Sequence, residues 1–200
     1  TATTFLNTGN LVLGNGAGDT LTLGGGLTAT APAAISAAGT INTTNTAMSL
    51  GDAGTALTLT ANLTLNTTGG NASAGGSLTL GGTVNGTTAN TESLTLNAGS
   101  TGAVSVVGSV GQTTSLKTLT LTNSNGAVFN APVTTGTSVV LTDTTDGQTI
   151  RFADDLSTPV LTTTANGYHL ELLGTTTNVS DVNTATTFLN TGNLVLGNGA

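Results

Sequence analysis

The sequence predicts an all-β chain folded as a right-handed parallel β-solenoid, with about eight coils over residues 1–183, and three observations carry that prediction. Apolar residues alternate with Thr at a spacing of two, as at Leu57 and Leu59 or Leu119 and Leu121, which sets the apolar groups on one strand face. The chain holds 48 Thr and 29 Gly but only 2% aromatics. Branched Thr is stiff and packs well on a pleated surface, and Gly permits the turns between strands. Third, a short unit of strand, turn and strand recurs along the chain. Units of ~20 to 50 residues, each too small to bury its own apolar face, stack into a quasi-one-dimensional solenoid. The same pattern, with Asn-Gly turns read as hairpins, also fits a tandem β-sandwich array, which remains the alternative.

Charge narrows the function classes. Charged residues make up 6% of the chain, against roughly 25% in an ordinary globular domain. Hydrophobic residues reach 36%, enough to build a core, so disorder is not expected. The net charge of −7 comes from nine acids against Lys117 and Arg151. Two separated cations cannot bind phosphates, so no nucleic-acid partner is expected, nor an anionic membrane surface. No apolar run approaches the ~20 residues of a membrane helix, and no signal peptide is visible. The absence of Cys removes thiolate chemistry and Cys-ligated metals.

Residues Thr1 to Ala17 and Thr184 to Ala200 both read TATTFLNTGNLVLGNGA, a seventeen-residue identity at an offset of 183. Residues 1–183 are therefore one long tandem repeat, and 184–200 begin the next. Core packing could keep inward positions alike, but it cannot keep outward Thr and Asn identical. Recent duplication or homogenised copies would, and a chain that starts at Thr and stops inside a repeat accords with a segment of a longer array.

Inside the long repeat the elements follow in order. Leu11 to Leu27, Met48 to Leu63, Leu94 to Val110, Leu119 to Val133 and Val139 to Leu156 each read as strand, Gly/Asn/Asp-rich turn and strand. Less regular units start at Leu27, Leu63 and Val160, and a ninth at Leu194, so that eight units fill one long repeat. Asn125-Gly126, Asp146-Gly147 and Asn166-Gly167 are turn dipeptides that accept positive φ. A five-residue frame ends many units: Leu23 to Leu27, Leu59 to Leu63, Leu80 to Val84, Val106 to Val110, Phe129 to Val133 and Phe152 to Leu156. Its middle residue is expected to face inward at a tight corner and reads Gly25, Ala61, Gly82, Gly108, Ala131 and then Asp154, where the corner is expected to open to solvent with the carboxylate accepting from turn N–H groups or Arg151. Leu21, Leu23, Leu94, Leu96, Leu119, Leu121, Phe129, Val133, Phe152 and Leu156 are the expected core.

Passages such as GAVFNAPV, SLTLNAG and TLTLTNSNG resemble the strand repeats of large secreted bacterial surface proteins, the filamentous-haemagglutinin-like and autotransporter-like adhesins. That resemblance implies a β-helical shaft, secretion to the cell surface, and a role in attachment or filament formation. It transfers no catalytic residue.

Chemistry-bearing motifs are sparse. GNGAGDTLT (Gly14 to Thr22) approaches a calcium-binding nonapeptide with Asp19 in the acidic place, but Asn15 and Ala17 replace two glycines and no second nonapeptide follows. Asp143, Asp146, Asp154 and Asp155 form the acidic cluster, so Asp19, Asp143, Asp146 and Asp154 are the weak calcium candidates. Neither a metal nor another cofactor is expected, because His169 is the single His and no Cys exists. Paired carboxylates on a β-helix could hydrolyse a polysaccharide, yet aromatic sugar platforms and basic residues are missing. No enzyme activity is expected. T-x-T motifs at Thr20/Thr22, Thr58/Thr60 and Thr118/Thr120/Thr122 would suit an ice-binding face if they stacked on consecutive coils, which coils of variable length do not guarantee. The sequons at Asn42, Asn62, Asn66, Asn71, Asn85 and Asn178 arise by chance in a Thr-rich chain. The expected function is a structural element of an extracellular fibre, stalk, sheath or giant adhesin, its partners being identical repeats or copies of itself, with any surface or carbohydrate ligand unidentified.

Overall fold

The computed structural model describes residues 1–70, 74–181, 183 and 185–197, and no helix occurs among them. Every ladder between named strands is parallel, so the β-sandwich alternative falls: its hairpins would require antiparallel pairs. The chain is a parallel β-solenoid of about eight turns.

Each turn presents three faces in chain order. The first is a sheet of Thr3–Thr4, Leu27–Ala29, Met48–Leu50, Leu78–Leu80, Val104–Val106, Ala127–Phe129, Thr149–Phe152, His169–Leu172 and Leu194–Leu196. The second runs through Leu11, Ile35, Leu57 and Val84, and through Val110, Val133, Leu156 and Thr177. The third runs through Leu21, Ile41, Leu65, Leu96, Leu121, Leu141 and Thr163. Long strands such as Ala34–Asn42 and Ala56–Asn66 carry the chain from second face to third, with a register shift between Ala37 and Gly39 at the junction.

In-register stacking turns the two-residue alternation into columns. Leu63, Leu94, Leu119, Val139 and Leu161 are successive partners on the third face, all buried. The aromatic pair Phe129 and Phe152 stacks at 4.7 Å between ring centroids on the first face. Leu94, Leu96, Leu119, Leu121, Phe129, Val133, Phe152 and Leu156 are buried as anticipated. Leu21 and Leu23 are only half-buried, because Leu21 opens the third-face ladder and only Ile41 covers it.

The five-residue frame merges different places. Leu80 to Val84, Val106 to Val110, Phe129 to Val133 and Phe152 to Leu156 turn from first face to second, but Leu23 to Leu27 turns from third to first. Leu59 to Leu63 lies inside one strand. The middle residue is small for a reason other than facing inward. A Cβ on Gly82 would lie 1.7 Å from the Thr55 carbonyl oxygen, one on Gly108 would lie 2.3 Å from the Gly82 carbonyl carbon, and one on Gly174 would lie 2.6 Å from that of Asp154. Successive turns touch backbone to backbone at this corner. Among the turn dipeptides, Gly126 and Gly147 take positive φ, 87° and 78°. Gly167 does not; its missing Cβ leaves room for the Asp146 carboxylate, to which its N–H donates at 3.0 Å.

Threonine performs a second task at the corners, where coil carbonyls leave the ladders. The Thr43 hydroxyl donates to Thr46 O at 2.6 Å and that of Thr67 to Gly76 O at 2.7 Å. Buried Ser124 donates to Thr144 Oγ1 at 2.8 Å, and Thr144 in turn donates to Ser124 O at 2.6 Å. Buried hydroxyls thus satisfy groups that would cost ~1 to 3 kcal/mol each if left unpaired.

Two outcomes follow. Leu96→Ala, in the middle of a column, is expected to lower unfolding free energy by ~2 to 5 kcal/mol in urea titration, and Leu21→Ala by less than half as much. Gly108→Ala is expected to destabilise more than Ala131→Gly, since its new Cβ has only rigid backbone to displace.

Candidate functional site

The acidic candidates are distributed to different corners and committed to turns. Asp19 Oδ2 accepts from the N–H groups of Asn15 at 2.8 Å and Gly16 at 3.0 Å, which hold its carboxyl below the usual carboxylate range. Asp52 is held low in the same way, by the Thr55 hydroxyl and then the Gly54 N–H. Asp143 and Asp146 follow the third-face end of strand Val133–Leu141, whereas Asp154 and Asp155 sit at the corner after Thr149–Phe152. Asp146 anchors Gly167. Burial pushes the Asp143 carboxyl up, the Thr144 N–H draws it back, and the charge of Asp146 adds to the rise. Among the described residues no three His, Cys, Asp or Glu side chains converge.

Asp154 sits at the solvent-opened corner expected for it, half-buried and accepting the Asp155 N–H at 2.8 Å. Arg151 pairs with Glu171 at 3.2 Å, the outward residue stacked on it in the next turn. Asp155 takes the longer reach, accepting from Thr176 N at 2.8 Å and Thr175 Oγ1 at 3.1 Å. His169 Nδ1 accepts the Asn193 N–H at 2.8 Å, so the lone His ties down the following turn.

Two buried polar groups escaped sequence reasoning. Glu92 is 4% exposed and accepts from Thr87 Oγ1 at 2.6 Å and Thr88 N at 3.3 Å, closing the loop between them against Gly86. Nothing in its spacing marks it. Tyr168 is fully buried and bridges turns, donating to Leu141 O at 3.3 Å and accepting from Thr164 N at 3.2 Å. Of the sequons, Asn71 lies outside the described residues. Asn62, Asn66 and Asn85 carry internal hydrogen bonds, to Ser93 N, Thr68 N and the N–H groups of Thr113 and Thr114.

Outward Thr is more ordered than variable turn lengths suggest. Thr20, Thr40, Thr64, Thr95 and Thr120 are successive partners on the third face, interrupted by Val140 before Thr162. Loop variation is absorbed at corners and leaves ladder register intact. The row is single, however. Two residues on stand Asn42, Asn66 and Asn97, and Thr58 stacks between Ser36 and Asn85, so the T-x-T pairs do not form a double row.

Large exposed apolar side chains concentrate at the two ends: Leu6 and Val12 at one, Leu189, Leu194, Val195 and Leu196 at the other. A groove lined by Phe5, Val12, Leu13 and Leu21 opens at the first, and one lined by Leu172, Val179, Phe188 and Leu196 at the second. Both grooves lie beside the terminal strands of the ladders. Comparison with known proteins returned no matching family model, no matching curated protein and no matching solved structure.

The raised carboxyl of Asp143 gives a signed expectation. The folded state binds its proton more readily than the unfolded chain, so its contribution to stability falls as pH rises through the carboxylate range. Asp143→Asn is therefore expected to raise the melting temperature at neutral pH and to match the parent below that range. Asp154→Ala is expected to change stability by no more than ~0.5 kcal/mol, and a chelator to leave melting unchanged. A drop of many degrees on chelation, matched by Asp154→Ala, would overturn this and point to a structural metal.

Proposed function

We propose that this chain is one period of a structural shaft, an element of an extracellular fibre, stalk or sheath or of a giant adhesin, in which copies of the repeat stack end to end. The observation that carries this reading is a seventeen-residue identity at an offset of 183 in a chain whose turns stack as a parallel β-solenoid. A solenoid gains stability from each added interface between like turns. The carboxylates of Asp19, Asp52, Asp146 and Asp155 are bound to backbone N–H groups, which favours a shaft over a hydrolase. The likeness of GAVFNAPV and SLTLNAG to bacterial surface-protein repeats supports a location outside the cell.

A Thr-rich ice-binding surface is the second reading, favoured by the single in-register Thr row on the third face. We rank it below the shaft because the neighbouring outward row is Asn, part of it bound into corner turns.

Intact-chain mass of the native material tests the first reading: a polypeptide of many tandem copies, or short subunits joined in a fibre, supports it, and a monodisperse single copy overturns it. Purified protein is expected to show no thermal hysteresis. A freezing gap abolished by Thr64→Leu with Thr95→Leu would reverse the ranking.

A further inference from the structure

The identical segments do not occupy equivalent places. In the first copy Thr3 and Thr4 pair with Leu27 and Thr28 on the first face, and Leu11 pairs with Ile35 on the second. In the second copy Thr187 and Leu189, which match Thr4 and Leu6, lie against Thr163 of the third face, the Thr163 hydroxyl donating to Thr187 O at 3.3 Å and accepting the Leu189 N–H at 2.7 Å. Leu194, which matches Leu11, pairs with Leu170 on the first face. Both parts of the segment lie one face back, although Thr186 and Thr187 form no ladder where Thr3 and Thr4 do. The bend between them is kept. Asn7 Nδ2 donates to Gly9 O at 3.3 Å and Asn10 O at 3.4 Å, and Asn190 Nδ2 to Gly192 O at 3.5 Å and Asn193 O at 3.4 Å. Gly14 has φ 76° and its counterpart Gly197 has φ 82°.

We propose that successive copies of the repeat stack with a shift of one face, so that the first face of each copy continues the third face of the copy before it. Turn length supplies the reason. Between described first-face partners the shortest turn runs from Ile150 to Leu170 and the longest from Met48 to Leu78. The shifted placement, Leu170 to Leu194, falls between them and equals the step from Thr3 to Leu27 in the first copy. Unshifted stacking would put Thr186 on Leu170 and Leu194 on Thr177, and both steps are shorter than the turn from Ile150 to Leu170. Every turn between described first-face partners in this chain is longer than that.

The faces tolerate the exchange because they are written alike. Leu-Thr-Leu occurs on the first face at Leu78–Leu80, on the second at Leu57 to Leu59, and on the third at Leu63 to Leu65, Leu94 to Leu96 and Leu119 to Leu121. Two inward Leu flanking one outward Thr fit any of the three. The open C-terminal edge is thus a docking surface for a following copy turned by about a third of a turn, and three copies return a face to its starting azimuth. The Thr row would then wind around the shaft instead of forming one continuous stripe.

This inference rests on the end-to-end reading, but its test does not. A chain of two fused copies, residues 1–183 followed by 1–200, contains the junction whatever the native assembly is. Glu171 and Val195 are direct partners in the shifted arrangement, within disulfide reach on adjacent parallel strands. Unshifted stacking would place Val195 over Asn178. The chain has no native Cys, so Glu171→Cys with Val195→Cys, and separately Asn178→Cys with Val195→Cys, report cleanly under mild oxidation. All three positions are surface-accessible, and the urea midpoint of each reduced variant checks folding. The first pair is expected to cross-link in at least about tenfold excess over the second, since cysteines off register cannot bridge. Excess linkage of the second pair, or failure of the first, overturns the proposal. Images of a multi-copy chain labelled at one site per copy are expected to show labels on three azimuths; a single azimuth also overturns it. The fibre reading would stand in either case, since native mass tests it separately.

Discussion

Parallel in-register stacking is the constraint on which everything else here depends. A parallel ladder aligns like positions of successive turns, so an inward Leu must meet an inward Leu, Ile, Val or Phe above and below it. Slipping one strand by a single residue would send its entire apolar set to solvent and bring Thr into the core. Short strands such as Met48–Leu50 and Leu78–Leu80 can hold this register because each has a neighbour on both sides and needs only two inward side chains. The penalty for losing a neighbour appears at the ends, where Leu21, Leu194 and Leu196 keep the pattern but not the burial.

Variation in turn length has to be absorbed somewhere, and the corners absorb it. From Met48 to Leu78 and from Ile150 to Leu170 the chain uses very different lengths to climb one step, yet both steps end in register. Excess chain is held by hydroxyls and carboxylates that accept from or donate to stray backbone groups. Thr87, Thr88 and Glu92 close one such loop, and Thr144 with Ser124 another. A chain with few charges meets this demand mainly with Thr, whose branched body suits the strand and whose hydroxyl suits the corner.

The same allocation shapes function. Carboxylates bound to turn N–H groups are not arranged around a ligand, and the one His secures the next strand. Because Leu-Thr-Leu recurs on all three faces, the proposed stacking of a following copy has more than one azimuth open to it, and turn length selects among them.

Alternation, composition and the repeat identity by themselves determined the fold class, the count of about eight turns and most of the core, because inward and outward residues of a short strand are written locally, at a spacing of two. They did not determine which face a given Leu-x-Leu belongs to. Units that begin at Leu27, Leu63 and Leu11 look alike but sit on the first, third and second faces, since nothing in three residues encodes azimuth around a coil. Nor did spacing reveal that Gly82 and Gly108 are small because backbones touch there, or that Glu92 is buried. Those facts arise between turns, from residues far apart in the chain that meet only when one coil lies on another. For the same reason the identical segment could sit on different faces in its two copies: its sequence sets its own bends, and the length of chain to the nearest coil sets its neighbours.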